Sequence, residues 1–273
     1  MSRPVRMPAR IPGLGRVGRK GSHLGLLHCC LMPVAGRGPF LVAVADRPAA
    51  IINSAEQERS ARRFDLVEAR VDLFAQQSLD GCAHDCARLE ASGTPVILTI
   101  RSAAQGGRFD GPDSARLSAF SAAIAAGHAS WVDIENDATI IDELAALIAA
   151  RDGARLIVSH HDFAHTPSLE TLLEIVDRCH AISGAIAKIA TAVRREEDRH
   201  VLLELLASRP DRTCVIGMGA SADLRIELAA RGSMLAYGYL ERATAPGQMS
   251  AAETHERLLA ASPAYAARQA LAP

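Results

Sequence analysis

The feature that most constrains the fold is a regular alternation, after residue 39, of short apolar runs with alanine- and leucine-rich helical stretches. The runs are apolar on both faces, which suits parallel strands covered by helices. Eight such strands are predicted at Phe40–Ala45, Phe64–Val71, Val96–Ile100, Trp131–Glu135, Leu156–His160, Ala185–Thr191, Thr213–Met218 and Leu235–Leu240. Eight strand–helix units over roughly 230 residues predict a single (β/α)8 TIM barrel. A doubly wound open sheet is the alternative, but it normally has fewer strands.

Composition excludes several classes of partner. The chain is 49% hydrophobic and 22% charged with a formal net charge of -1, which is ordinary for a globular protein. Near-neutral charge gives no support for binding to nucleic acid or to an anionic membrane surface. No apolar stretch approaches the roughly 20 residues of a membrane span. The six cysteines are scattered, so we expect reduced thiols and a cytoplasmic protein.

The first 38 residues differ from the rest because they are basic and contain no acidic residue; the first in the chain is Asp46. A targeting segment would fit such a composition. Disorder, or a start assigned too far upstream, fits it better, and Met32 would begin a shorter chain close to the first strand. We therefore expect a tail at residues 1–38 and a catalytic barrel domain at residues 39–273.

Lys188 is one of only two lysines among the 30 basic residues; the other, Lys20, lies in the tail. It sits in the apolar run Ala185–Ala190. Arginine stays protonated, whereas a buried lysine can lose its proton and become a nucleophile. The choice of lysine here therefore indicates amine chemistry, such as an imine with a carbonyl substrate. The alternative from this segment alone is a strand-end lysine that extends to solvent.

Polar residues occur where a TIM barrel places its active site, at the C-terminal ends of the strands. They are Glu68, Arg70, Arg101, Asp133, Glu135, His160, His161 and Lys188, with Thr244 and Gln248 after the last strand. Any one of them could belong to a structural ion pair. Their placement as a set is harder to attribute to structure alone.

Three other patterns carry little weight. The glycine pattern Gly13–Gly18 matches a dinucleotide motif, but no predicted strand precedes it and no helix follows. Cys82, His84 and Cys86 lack a second pair of metal ligands, and no His or Cys cluster completes a site with His160 and His161. We expect no metal and no cofactor.

A resemblance to a known family rests on a series of motifs whose order and spacing agree with the pattern of that family. They are Glu68-Ala69-Arg70-Val71-Asp72, Thr99-Ile100-Arg101 with Gly106-Gly107, Asp133-Ile134-Glu135, Ser159-His160-His161-Asp162-Phe163, Ala187-Lys188-Ile189, Met218-Gly219 and Ala245-Pro246-Gly247-Gln248. Over about residues 40–262 the chain resembles the type I 3-dehydroquinate dehydratases. A His-Asp-Phe motif followed after 27 positions (161 to 188) by a lysine is a specific combination. The family fold is a (β/α)8 barrel.

The resemblance implies a cofactor-free dehydration of 3-dehydroquinate to 3-dehydroshikimate in the shikimate pathway. Lys188 would form an imine with the substrate ketone, and His161 would act as general base and then as general acid. Arg225 would bind the substrate carboxylate. Glu68, Arg70 and Arg101 would hold the ring hydroxyls and fix one another's charge, while Thr244 and Gln248 would belong to a loop that closes over the substrate. The family also favours a homodimer.

Three departures from the family pattern are Gln105, Leu224 and Thr244. Gln105 stands where a glutamate usually orients the catalytic histidine. Glutamine accepts a hydrogen bond but offers no charge to stabilise an imidazolium, so we expect a lower pKa for His161 than in other members, with some loss of rate. Thr244 replaces serine and keeps the hydroxyl, and Leu224 replaces a serine before Arg225.

Two other functions remain open from the sequence. A different Schiff-base enzyme on the same barrel, such as a class I aldolase, would also use Lys188, but it would not require the arginine set or the Ala-Pro-Gly-Gln loop. A non-catalytic barrel that has lost its activity is supported only by Gln105. The presence of both Lys188 and His161 argues against it.

Overall fold

The computed structural model describes residues 38–47, 64–74, 86–91, 93–219 and 222–271. Within them, eight parallel strands form one sheet in the order β7-β6-β5-β4-β3-β2-β1-β8. They are β1 (Phe40–Ala45), β2 (Leu66–Arg70), β3 (Val96–Thr99), β4 (Trp131–Glu135), β5 (Arg155–Asp162), β6 (Ile186–Ala192), β7 (Thr213–Met218) and β8 (Leu235–Tyr239). Neighbours in the chain are neighbours in the sheet, as a nearly closed barrel requires and a doubly wound sheet does not. The predicted barrel is confirmed.

Alternating side chains of each strand face two different environments. Leu41, Val67 and Val132 belong to a large apolar cluster between the sheet and the helices. Val42 and Ile157 are equally buried but lie outside that cluster; they face the barrel interior, because successive side chains of a strand point to opposite faces. Both faces are therefore covered, which explains the continuous apolar runs in the sequence.

In the part of the chain that the structure describes, seven α-helices have defined bounds. They are α1 (Asp113–Ala126), α2 (Ile141–Ala149), α3 (Leu169–Ala181), α4 (Glu196–Ser208), α5 (Ala222–Ala230), α6 (Ala251–Ala261) and α7 (Pro263–Leu271). Residues 86–91 are also helical. The Ser168 side chain caps α3 by accepting a hydrogen bond from the backbone N–H of Thr171. Among these described residues, no helix has the length and apolar character needed to cross a lipid bilayer.

The first and last strands of the sheet, β7 and β8, meet mainly near their N-terminal ends. Met234 N donates to Thr213 O at 2.9 Å. Ser233 Oγ accepts from Val215 N at 3.0 Å, and Cys214 Sγ donates to Leu235 O at 3.4 Å. Side chains and one backbone hydrogen bond therefore replace the regular ladder of the other strand pairs at this seam.

Helix α7 packs at the N-terminal end of the barrel. The Arg268 guanidinium lies 4.6 Å from the ring centroid of Phe40 and 5.1 Å from that of Tyr265, and it also pairs with Asp65. Cation–π contacts and an ion pair on one side chain fix α7 against the start of β1. This helix was not among the sequence predictions.

Several predictions concern residues outside the described part of the chain. These are the glycine pattern at residues 13–18, the pair Cys82 and His84, and the tail, of which residues 1–37 are not described. The division into a tail and a barrel domain therefore stays a prediction.

Candidate active site

One cavity at the C-terminal end of the barrel collects the residues that the sequence singled out. Its empty volume, including the open mouth, is about 530 Å³. The lining includes Glu68, Arg70, Arg101, Gln105, His161, Lys188, Arg225, Thr244 and Gln248. These side chains come from six of the strands or from the segments that follow them, and they meet at the C-terminal end of the barrel, as expected for a barrel active site.

Lys188 extends from β6 into this cavity and is only 4% exposed. Its Nζ donates a hydrogen bond to Asp133 Oδ2 at 2.8 Å and lies 3.5 Å from Glu68 Oε1. Glu68 also accepts from Thr99 Oγ1 at 2.9 Å. The lysine therefore does not extend to solvent, and its position is set by two carboxylates, one from β4, which lies two strands away, and one from β2, which lies opposite β6 in the barrel.

A chain of alternating charges links Lys188 to helix α1. Arg101 donates to Asp133 at 2.6 Å and to Glu135 at 3.1 Å, and Arg116 of α1 pairs with the second oxygen of Glu135. With Lys188 and Glu68, the buried network contains three positive and three negative side chains, and at its edge Arg116 also pairs with the less buried Asp113. Buried charges of this kind are tolerated when each has a partner and further hydrogen bonds.

Electrostatics in the network favour the charged forms. Burial opposes the charge of Asp133, but Arg101 and Lys188 outweigh it and hold the pKa of Asp133 well below its usual range. Burial likewise opposes the charge of Arg101, and Asp133 and Glu135 raise its pKa further above an already high value. Both groups remain ionised at neutral pH.

Tyr237 of β8 was missed by the sequence reasoning. The Lys188 ammonium lies 4.3 Å from its ring centroid, a cation–π contact. Burial, and then the nearby charge of Glu68, raise the pKa of the Tyr237 phenol well above its usual value. Its position on the predicted eighth strand, at a residue that faces the barrel interior, could have identified it from the sequence.

His161 is held by Gln105, which ends a short 3-10 turn (Ala103–Gln105). Gln105 Oε1 accepts a hydrogen bond from the backbone N–H of His161 at 2.9 Å and contacts His161 Nδ1 at 3.2 Å. Because this oxygen can only accept, Nδ1 must carry the ring proton, and in the neutral ring Nε2 keeps its lone pair. Residues 105 and 161 are therefore in contact, and the orienting role expected of Gln105 stays a prediction.

The environment of His161 favours the neutral ring. Burial lowers its pKa well below the usual value, and the charges of Arg101 and Lys188 lower it further, against a smaller opposing effect of Asp133. Phe163 stacks on the imidazole with ring centroids 6.5 Å apart and planes inclined by 15°. A β-carbon at Gly106 would lie 2.3 Å from the Phe163 ring, so glycine is needed for this arrangement.

Arg225 of α5 is a partly buried cation with no carboxylate within ion-pair distance in the described residues. Its Nη2 donates to Pro246 O at 2.8 Å, and its buried Nε has no hydrogen-bond partner there. Burial lowers the pKa of Arg225 to about 10. A guanidinium in this condition would be stabilised by an anion entering the cavity.

The segment 244–248 lies over the same side of the cavity. Gln248 Oε1 accepts from Thr244 N at 2.8 Å and from Thr244 Oγ1 at 3.0 Å. Pro246 O accepts from Gly219 N at 3.1 Å as well as from Arg225. The loop is thus closed on itself by Gln248 and attached to the end of β7 and to α5.

Arg70 and Glu68 differ from the expected arrangement in which they fix each other's charge. Arg70 donates to both oxygens of Asp72, at 2.9 and 2.8 Å, while Glu68 lies deeper and contacts Lys188. Arg101 is also less available than expected, because its terminal nitrogens bond to protein oxygens, including Ser159 Oγ at 2.7 Å. No group of three potential metal ligands occurs in the described ranges.

Comparison with known proteins identifies relatives over most of the chain. A model of the family described as type I 3-dehydroquinase matches residues 42–262. A 3-dehydroquinate dehydratase from Methanocella arvoryzae is 36% identical over 197 residues, which cover 71% of this chain and 85% of that protein. One from Methanothermobacter thermautotrophicus is 37% identical over 195 residues, with 71% and 84% covered.

A solved structure gives the same relationship. The crystal structure of the 3-dehydroquinate dehydratase from Aquifex aeolicus superimposes with a TM-score of 0.70 at 26% sequence identity. The match covers 81% of this chain and 98% of that one. Sequence and fold therefore agree on a single family of barrels.

Proposed function

The chain belongs to the type I 3-dehydroquinase family, and we propose that it dehydrates 3-dehydroquinate to 3-dehydroshikimate through an imine on Lys188. His161 is the proposed general base and acid. The reaction serves aromatic biosynthesis. Membership of this family removes the reason to consider a class I aldolase.

The observation that carries the proposal is the placement of Lys188. Its amine lies in the cavity, 2.8 Å from Asp133. The same cavity contains His161, whose lowered pKa favours the neutral ring, and Arg225, which has no carboxylate partner in the described residues. An amine nucleophile, a proton acceptor and a carboxylate-binding cation within one small cavity match a substrate that contains a ketone and a carboxylate.

Imine formation needs proton transfers that His161 is suited to perform. The ammonium of Lys188 must lose a proton before its nitrogen attacks the ketone carbon. The resulting carbinolamine then loses its hydroxyl as water to give a protonated imine. Since His161 is neutral with Nε2 unprotonated, it can accept the first proton and return one to the departing oxygen.

Dehydration follows from the electron-withdrawing imine. It acidifies the adjacent C–H, and His161 takes that proton to leave an enamine. The enamine expels the hydroxyl on the next carbon as His161 returns the proton, so water leaves and a conjugated imine forms. Hydrolysis of this imine releases the product and regenerates Lys188, with no net gain or loss of protons.

Substrate binding is assigned to the remaining cavity residues. Arg225 binds the carboxylate, and Arg70, oriented by Asp72, contacts ring hydroxyls. Thr244 and Gln248 close the loop over the ring and limit the access of water to the imine. Glu68 and Arg101 hold Lys188 and Asp133 in place and bring their charge to the base of the cavity.

Borohydride trapping tests the nucleophile. Incubation with 3-dehydroquinate and borohydride should add one reduced substrate to the protein, detected by intact mass, and peptide mapping should locate it on Lys188. Because the chain has only one other lysine, Lys20→Arg is the matched control and should leave the adduct unchanged. Loss of the adduct is expected in Lys188→Ala; an adduct that survives would show that the nucleophile was assigned wrongly.

Activity is followed by the absorbance of the conjugated product. The wild-type protein should form the enone without added metal or cofactor, and a chelator should have no effect. Neither turnover nor adduct in the wild-type protein would refute the enzymatic function.

Two further properties are part of the proposal. We infer a cytoplasmic protein from the six scattered cysteines, since the three that the structure describes, Cys86, Cys179 and Cys214, are free thiols. The family resemblance supports a homodimer, which light scattering at micromolar concentration would reveal as twice the mass of 28.9 kDa. A monomeric mass would refute the dimer without affecting the reaction.

A further inference from the structure

Gln105 is itself held by a carboxylate outside the cavity. Its Nε2 donates a hydrogen bond to Asp137 Oδ1 at 2.8 Å, while its Oε1 faces His161. Gln105 is buried, whereas Asp137 is exposed in the connection between β4 and α2. The three side chains form a continuous line of hydrogen bonds from solvent to the cavity.

We propose that Asp137 is a positioning residue for the dehydration, which acts through Gln105 to hold the His161 ring with Nδ1 protonated and Nε2 free. The inference rests on the function proposed for His161 above. Asp137 does not line the cavity, so it is not a candidate for contact with substrate.

The physical reason lies in the two ends of the Gln105 amide. They have similar shapes but opposite hydrogen-bonding character, one accepting and the other donating. Rotated by 180°, the amide would direct its NH2 group at the backbone N–H of His161 and its oxygen at the carboxylate of Asp137. Both contacts would be repulsive. The backbone N–H of His161 and the carboxylate of Asp137 therefore favour the same orientation of the Gln105 amide.

That orientation determines the histidine tautomer. With Oε1 facing the ring, only a protonated Nδ1 makes a favourable contact, and the lone pair of the neutral ring is then on Nε2. The carboxylate also polarises the amide, which strengthens Oε1 as an acceptor when His161 becomes an imidazolium. The negative charge of Asp137 thus acts on His161 through the Gln105 amide that lies between them.

Substitutions at Asp137 test the proposal. Asp137→Ala should lower kcat about tenfold and leave KM within about twofold. Loss of a residue that supports a metal-ligating histidine typically costs about 10–100-fold. We expect the lower end of that range here, because water can reach the site of Asp137. Asp137→Asn keeps an accepting oxygen and should retain most of the activity. The matched control is Asp142→Ala, which removes an exposed carboxylate from the first turn of α2 and should leave both constants unchanged.

A second carboxylate at position 105 gives a sharper test. In Gln105→Glu, two carboxylates would meet at hydrogen-bond distance and repel each other. Adding Asp137→Asn should then raise kcat, because the asparagine amide can donate to the new carboxylate. The same substitution is neutral or mildly harmful in the wild-type background, so its effect should reverse in sign. Equal fractional effects of Asp137→Asn in both backgrounds would overturn the proposal.

The tautomer is measured independently of turnover. Nitrogen NMR of the His161 ring at neutral pH should show Nδ1 protonated in the wild-type protein and a mixture of tautomers in Asp137→Ala, with Asp142→Ala unchanged. An Asp137→Ala spectrum identical to that of the wild type would refute the positioning role. A wild-type protein without turnover or borohydride adduct would instead refute the dehydratase function, and the spectra would still decide the role of Asp137.

Discussion

Replacing Asp133 by asparagine tests how far the buried charges depend on one another. Asp133 accepts hydrogen bonds from Lys188 at 2.8 Å and from Arg101 and Ser159, each at 2.6 Å. Asparagine has nearly the same shape and keeps one accepting oxygen. The substitution therefore changes the charge of the network from zero to +1 with little change in packing.

The expected loss of stability follows from the geometry. Two unit charges 2.8 Å apart attract by about 6 kcal/mol at an effective dielectric constant of about 20, and Arg101 adds a comparable attraction. Since asparagine and rearranged water recover part of this, we expect the free energy of unfolding to fall by about 3–5 kcal/mol, the range for removing one partner of a buried pair. The loss should be complete at pH 7. It should vanish only well below the ordinary carboxyl pKa of about 4, where the wild-type side chain also becomes neutral.

Urea unfolding at pH 7, followed by circular dichroism, measures the effect. The informative control is Lys188→Met in the same background, because Asp133→Asn with Lys188→Met returns the network to zero charge. The double variant should be at least as stable as Asp133→Asn alone, with a coupling of about 1–3 kcal/mol. Two results would refute the view that charge balance stabilises the barrel interior. One is additive effects of Asp133→Asn and Lys188→Met on the free energy of unfolding, and the other is a loss under about 1 kcal/mol for Asp133→Asn alone.

Three further predictions concern the cavity. Because the pKa of His161 is lowered, the acid limb of the pH profile of kcat/KM should lie below pH 6.5, and a limb above it would contradict a neutral resting histidine. Arg225→Met should raise KM about 10–100-fold, as expected for loss of a charge-assisted hydrogen bond, with little change in the yield of borohydride adduct at saturating substrate. Gly106→Ala and Gly184→Ala, both at positive φ (+80 and +75), should each lower the unfolding free energy by about 1–3 kcal/mol. Only the former should also lower kcat, because its methyl group would displace Phe163.

The fold was predictable because eight apolar runs with short spacers leave few parallel arrangements. Three strands, β1, β4 and β7, begin and end where the sequence pattern places them. Strand β5 extends two residues beyond its predicted end, since His161 and Asp162 continue the register with β6. Helix α7 went unpredicted, although its first residue, Pro263, is a residue type favoured at the first helical position.

The membership of the cavity was also predictable, because strand ends converge in a barrel. The pairing inside it was not. Asp133 was noted near the end of β4, but its contact with Lys188 depends on the direction in which side chains of β4 and β6, which are separated by β5, point into the barrel interior. Arg70 was expected to pair with Glu68, two residues away on one strand face. The strand ends at Arg70, and the 3-10 turn that follows brings Asp72 into reach instead.

Asp137 illustrates a different limit. It is an exposed aspartate in a connection between a strand and a helix, and its local sequence resembles that of many surface turns. Its relation to His161 depends on the path of the turn that carries Gln105, 32 residues earlier in the chain. No periodic pattern or local motif records a contact of this kind.

The seam between β7 and β8 has a consequence for how the wall of the barrel fluctuates. With few direct hydrogen bonds across it, its opening should require less free energy than separation of any laddered pair, and its amides should exchange with solvent earlier. Arg225 follows β7 and the segment 244–248 follows β8, and Pro246 O joins them. A carboxylate bound at Arg225 beneath that loop would strengthen the link between the two sides. Bound substrate would then hold β7 and β8 together while it occupies the cavity. Slower hydrogen exchange of the β7 and β8 amides would measure how fully the cavity is occupied.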